Sequence, residues 1–301
     1  MRLLHIDTGR EMRGGQKQVL LLLKALVGAG HDCALLTPRE SPLRREIAFS
    51  GVAVHDATLF NVCKLAGAAD LVHAHDAKGH TLAALAARTP VVVSRRVAFP
   101  VGRSLASRWK YSRAARFAAV SRFVAEELYR AGIAKKKVDV VYDAVEETTV
   151  ENRWSARAPA IALASRDPMK GRDLVELAAK RANTRVFFSE DLSRDLQNAS
   201  MFLYITRSEG LGSAALLAMR MGVPVVASRV GGLTEIFEDG VSGIYVENDS
   251  EQIAAAMRKL TAEPEFACRL IREGRKRVAD NFTMEHLLAA TVNCYTRALG
   301  G

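Results

Sequence analysis

The feature that most limits the fold is a repeated alternation along the chain: a short apolar run, a turn, an amphipathic stretch of helical period, and then another apolar run. Residues 3–7, 31–37, 52–55, 71–75, 90–94, 116–120 and 138–142 read as strands. Helices are expected between them at 16–29, 59–68, 80–88 and 108–115, with a helix end near 46–50 and Ser121 capping a helix through 131. Strands that read as nearly continuous apolar runs are buried on both faces, and strands separated by helices pair in parallel. The expectation is an α/β chain with doubly wound parallel sheets.

The pattern stops at the polar stretch 151–159 and then restarts. Strands are expected at 161–165, 186–189, 202–205, 224–228 and 243–246. Helices fall at 173–182, 192–199, 213–221, 233–237, 250–261, 265–281 and 285–299. A length of 301 residues suits two cores better than one. We therefore divide the chain into residues 1–150, residues 151–284, and a last helix, 285–301, that returns to the first domain. The expected arrangement is two Rossmann-like domains facing each other across a cleft.

Composition removes several classes. A hydrophobic content of 49% with only 6% aromatic residues excludes a disordered chain and an aromatic-rich sandwich. No apolar run is long enough to span a bilayer. The N-terminus reads as a strand and lacks a signal-peptide pattern, so a cytoplasmic location is expected. The four cysteines are scattered and read as free thiols in a reducing compartment.

The net charge of +10 is unevenly placed. Residues 1–150 hold 23 Lys and Arg against 14 Asp and Glu, and residues 151–301 hold 20 against 19. Between Arg95 and Lys137, twelve basic residues meet only Glu126 and Glu127. Such a cluster calls for an anionic partner. It carries no nucleic-acid motif, so an anionic membrane surface or acidic glycolipid is the expected partner, with no nucleic acid.

Two local patterns carry chemistry. Gly14-Gly15 follows the first strand and precedes a helix, where the backbone can approach an anion or simply turn. In Ser208-Glu209-Gly210-Leu211-Gly212-Ser213-Ala214, a carboxylate stands at a strand end and two glycines lead into a helix. The amides opening that helix can hold a diphosphate; alternatively, Glu209 is a surface residue facing the helix dipole. His73 and His75 share one sheet face, but no third ligand is evident for a metal.

The ordered series 208–212, 218–228, 231–236 and 239–244 resembles the C-terminal domain of the family-4 glycosyltransferases of GT-B fold. The N-terminal half agrees in Gly14-Gly15, Gly30-His31-Asp32, 70–75 and Ala119-Val120-Ser121. The resemblance implies a retaining transfer from a nucleotide-diphosphate sugar to a cell-envelope glycan or glycolipid, such as a polysaccharide or lipopolysaccharide core. It implies that Glu209, Lys170 and Arg166 are catalytic. It places Gly14, Gly15, Gly210, Leu211, Gly212, Ser213, Ala214 and Glu235 around the donor, and His75, Arg95 and Arg96 on the acceptor side. Neither a metal nor a cofactor is expected.

Three features depart from the family. Leu217 stands where the family has a second Glu that holds the ribose. Arg95 and Arg96 replace the usual His after the fifth strand. The second domain is short by about one strand-helix unit. A catalytically degenerate GT-B scaffold or partner subunit is the alternative reading, and a sugar-nucleotide epimerase a third.

Overall fold

The computed structural model describes residues 1–48, 51–102, 104–146, 151–165 and 167–300. These divide into two compact units, one of Met1–Ala144 with Met284–Gly301 and one of Val145–Thr283.

The first unit runs β1 (Arg2–Ile6), α1 (Gly14–Gly28), β2 (Asp32–Thr37), α2 (Pro42–Ile47), β3 (Ala53–Asp56), α3 (Leu59–Ala66), β4 (Leu71–Ala74), α4 (Ala77–Ala86), β5 (Val91–Arg95), α5 (Leu105–Ser112), β6 (Arg116–Ala119), α6 (Arg122–Arg130) and β7 (Val138–Val140). Its sheet has the order β3-β2-β1-β4-β5-β6-β7 and is parallel throughout. The order reverses between β1 and β4. In open α/β sheets, such a switch point opens a crevice at the carboxyl ends of the strands. Leu3, Val19, Leu22, Leu23, Leu26, Leu35, Leu71 and Val92 form the core against this sheet.

The second unit runs β8 (Ala160–Leu163), α7 (Arg172–Ala182), β9 (Val186–Ser189), α8 (Leu192–Asp195), β10 (Met201–Tyr204), α9 (Ser213–Met221), β11 (Val225–Ser228), β12 (Ile244–Val246), α10 (Ser250–Ala262) and α11 (Pro264–Asn281). Its parallel sheet has the order β12-β11-β10-β8-β9, with the reversal between β8 and β10. Met201, Leu203, Val226, Ile253, Met257 and Leu270 centre its core.

The last helix, α12 (Met284–Leu299), belongs to the first unit. It buries Leu287, Cys294 and Tyr295 in that unit's core. Arg297 also reaches Asp139 at 2.8 Å.

Some elements start earlier than their apolar periodicity predicts, because a polar side chain upstream caps them. Asp76 accepts from the amides of Lys78 and Gly79, so α4 opens at Ala77 and not at His80. Ser104 accepts from Ser107, so α5 covers Leu105–Ser112 where the pattern predicts 108–115. Gly14 and Gly15 are the first residues of α1, not a loop before it. The segment predicted as a helix at 233–237 is a 3-10 turn over Gly231–Glu235.

Candidate active site

In the second unit, the strand ends on either side of the switch point carry the residues that the motifs single out. Lys170 follows β8, and Glu209 follows β10. The Lys170 Nζ lies 2.8 Å from Glu209 Oε2, and both side chains are partly exposed. The same oxygen accepts from the Tyr204 hydroxyl at 2.6 Å, while Oε1 accepts from the Gly210 amide at 3.0 Å. Burial, followed by the Glu209 charge, pushes the Tyr204 phenol well above its ordinary range, so it remains a donor to the carboxylate. Tyr204 was not singled out in the sequence: as the last residue of an apolar strand, it reads as core.

Glycines let the loops of this edge close up. Gly212, at φ +104, caps α9; a Cβ there would stand 2.5 Å from Leu233 and 2.9 Å from the Tyr204 ring. Gly231, at φ +51, is open only to a residue without a side chain, because a Cβ would meet the Glu209 carbonyl at 2.3 Å. That carbonyl also accepts from the Gly232 amide at 3.1 Å. The loops after β10 and β11 are thereby locked together.

The helix beyond Gly212 has no side-chain cap and no acidic residue in its first turn, so the amides opening at Ser213 and Ala214 meet no built-in anion. Gly210 and Leu211 are buried in the turn before them. Glu235 is half-buried beneath, where its carbonyl accepts from Arg277. Leu217 is half-buried on α9. Arg166 lies outside the described residues.

In the first unit, the switch point between β1 and β4 gathers a different set. His5 pairs in register with His73, and His75 follows two residues on, so all three imidazoles share one face. They are buried, and each offers a nitrogen within 4.8 Å of the others. A third imidazole thus exists where sequence showed only two; it was missed because the pairing of β1 with β4 joins residues 68 positions apart.

The geometry does not suit a metal. His5 Nδ1 and His75 Nε2 are 2.9 Å apart, with ring centroids 5.2 Å apart and planes within 8°. The centroids exceed the nitrogen distance by about two ring radii, so the two nitrogens face each other in line as an N–H···N hydrogen bond. Their lone pairs do not converge on a common point, as a coordinated ion requires. His73 is spent elsewhere: Nδ1 on the Tyr295 hydroxyl at 2.6 Å and Nε2 on Ser94 at 2.8 Å. Burial holds His5 down at about 3, and burial with the neighbouring imidazoles holds His73 and His75 well below their ordinary range. All three are neutral at neutral pH. His75 is a buried partner of His5, with its Nδ1 lacking a hydrogen-bond partner among the described residues.

Asp7, at the end of β1, is buried and accepts from the Gly9 amide at 2.9 Å and from Gln16 Nε2 at 3.1 Å. Burial and then the Asp76 charge raise its carboxyl above the usual range. Asp76 accepts from the Thr8 hydroxyl at 2.8 Å. Arg96 lies beside them, with its stem about 4.0 Å from a Cβ built on Gly15. Its guanidinium pairs with Asp143 at 3.1 Å, and its Nη1 is buried without a hydrogen-bond partner. Arg95 is occupied structurally: it donates to the Tyr111 hydroxyl at 2.7 Å and to the Phe99 carbonyl. Asp7 was not singled out by any motif.

The sequence of this chain matches the model of glycosyltransferase family 4 over residues 12–148 and that of glycosyl transferases group 1 over residues 124–263. The chain belongs to the family-4 glycosyltransferases of GT-B fold. It is 37% identical to a D-inositol 3-phosphate glycosyltransferase of Geodermatophilus obscurus over 110 residues, which is 36% of this chain and 24% of that protein. The chain thus spans about a quarter of that relative's length. By fold it is similar to Anabaena HepE, solved with UDP and glucose, at a TM-score of 0.84 and 15% identity, covering 98% of this chain and 99% of that one. It is also similar to the lipopolysaccharide outer core galactosyltransferase WaaB, at a TM-score of 0.74 and 12% identity, covering 98% and 99%.

Proposed function

We propose that the chain is a glycosyltransferase that takes a sugar from a nucleotide-diphosphate donor, with retention of anomeric configuration, and passes it to a cell-envelope glycan or glycolipid. The observation that carries this reading is the Lys170–Glu209 pair at the β8/β10 switch point, beside an uncapped helix N-terminus. Glu209 supplies a fixed carboxylate for sugar hydroxyls, and Tyr204 and Lys170 hold its orientation. Lys170 and the amides of Ser213 and Ala214 answer the negative charge that grows on the departing diphosphate, where preorganised donors have most effect. No step in this scheme draws on a metal. Asp7 and Arg96 are the candidates for the acceptor side, and Gly14 and Gly15 remain candidates for the donor.

Nucleotide-sugar use is supported by family membership and by the sugar nucleotides solved with HepE. An envelope acceptor is supported by the likeness to WaaB. No described helix is long and apolar enough to cross a membrane.

The test is a melting screen against nucleoside diphosphates and their sugars, followed by proton NMR of the product. A ligand at 100 times its Kd stabilises by about 2.7 kcal/mol. A nucleotide-dependent shift and an α-linked product from an α-linked donor are expected. No shift with any nucleotide supports the degenerate-scaffold reading instead, and a β-linked product from that donor refutes retention.

A further inference from the structure

The cations of the first unit are unevenly answered. Arg96, Arg116 and Arg130 meet Asp143, Asp139 and Glu127. Among the described residues, Arg108, Lys110, Arg113, Lys135 and Lys136 make no ion pair. Arg103 lies outside the described residues.

Large apolar side chains stand in water next to three of these cations. Leu105 is 82% exposed, Phe99 61%, Trp109 46% and Val97 46%. Single exposed apolar residues are ordinary on any protein, but a cluster rimmed by charge marks an interaction surface. Helix α5 contributes no buried residue at all. Leu105 and Trp109 are one turn apart on one face, with Arg108 three residues after Leu105 on the same side.

The inner side of α5 is firmly rooted. Tyr111 stacks on Phe117 at 5.4 Å and meets His80 edge-on at 5.0 Å. His80 contacts the Lys110 carbonyl at 3.1 Å. Arg95 ties the Tyr111 hydroxyl to the Phe99 carbonyl, joining the helix to the loop before it. The apolar tips are therefore held outward on a braced platform.

We propose that α5, with Val97 and Phe99 from the preceding loop, docks the protein on an anionic bilayer. Phe99, Leu105 and Trp109 enter the boundary between headgroups and acyl chains, and the exposed Arg108 and Arg113 meet the lipid phosphates. Apolar and aromatic tips flanked by cations are the pattern of an interfacial helix. Charge complementarity selects anionic lipid, because cations beside such a surface each strengthen binding severalfold. The proposal rests on the reading that the acceptor is borne by a membrane, and it names the side chains that reach that surface.

The chain has two tryptophans, Trp109 and Trp154, so Trp154→Phe leaves Trp109 as the only indole. This variant is titrated with vesicles of phosphatidylglycerol in phosphatidylcholine, and with phosphatidylcholine alone, at low and high salt. The expected result is a blue shift and protection from an aqueous quencher with the anionic vesicles only. Leu105→Ser is expected to weaken partitioning about tenfold. Arg108→Glu with Arg113→Glu is expected to weaken it more than tenfold, as is high salt. These side chains are exposed, so melting temperatures should not move. Cosedimentation of the unaltered protein repeats the test without Trp154→Phe.

Unmoved Trp109 emission, equal partitioning to both vesicle types, or undiminished partitioning of Leu105→Ser overturns the proposal. So does Trp109 shielding that grows with protein concentration in the absence of lipid, which would mark self-association. UDP-induced stabilisation of the same variants is measured in parallel. Vesicle binding without a nucleotide shift would leave this proposal standing while the donor reading fails, and the reverse result would do the opposite.

Discussion

All seven histidines of the chain, and every buried aspartate and glutamate among the described residues, lie in the first unit. The buried polar side chains of the second unit are instead hydroxyls and the amide of Asn152. Both units place polar groups at the carboxyl ends of parallel strands beside a switch point. In the first, these groups bind mostly to one another: His5 to His75, His73 to Tyr295 and Ser94, Arg96 to Asp143. In the second, Lys170 and Glu209 are paired but partly exposed, where a ligand can replace one partner. A buried pair mainly maintains the fold, and removing one member strands the other. A partly exposed pair can exchange its partner for a substrate at little cost to the fold.

Breaking one pair in each unit gives the widest contrast. Lys170→Ala and Glu209→Ala are each expected to lower transfer by about 10²–10³, with the urea midpoint nearly unchanged. The double variant should lose less than the product of the two, because the residues act on one another. Arg96→Ala should differ by lowering stability as well, by about 2–4 kcal/mol, as the buried Asp143 loses its ion pair with the guanidinium. Transfer assays and urea melts of the same preparations decide it. Full turnover in Lys170→Ala, or an unmoved midpoint in Arg96→Ala, removes the distinction between the units.

Acid should act on the first unit before the second. His5 is held at about 3 and His80 at about 4, chiefly by burial, with His73 and His75 also depressed. A histidine whose pKa is lower in the folded state binds its proton preferentially when unfolded. Its contribution is therefore intact above the unfolded value near 6.5 and is lost as pH falls from there toward about 4. Each such proton steepens the loss by about 1.4 kcal/mol per pH unit. Hydrogen exchange at descending pH should show α12 and the β1/β4 region losing protection while β10 and β11 keep theirs. Uniform loss across both units would refute this.

The alternation of strands and helices was legible because strands buried on both faces must be apolar over their whole length. The starts of α4 and α5 were less so, since single caps at Asp76 and Ser104 set them. Glu209 and the glycines around it were singled out because they are neighbours in a motif, and Lys170 by the family resemblance. Asp7, Tyr204 and His5 were not, because their meaning comes from the strand register and from the loops packed beside them.

The smallest expected effect tests what the second unit lacks. Leu217 is half-buried on α9, where a carboxylate can be installed with little disturbance. Leu217→Glu is expected to tighten nucleotide-sugar binding by up to about tenfold through one charge-assisted hydrogen bond. Calorimetric titration would show it. Weaker binding would mean that the pocket has been rebuilt around leucine.

The first unit is interrupted in sequence: it holds residues up to Ala144 and resumes only at Met284. Synthesis therefore delivers its sheet first and its closing helix last. Until α12 emerges, His73 has no Tyr295 to bond and Asp139 has no Arg297. The second unit, continuous from Val145 to Thr283, is complete while its elder neighbour still waits with an open flank. A ribosome stalled before the codons of α12 would carry one finished body and one unfinished body, and the unfinished one would be the part made first.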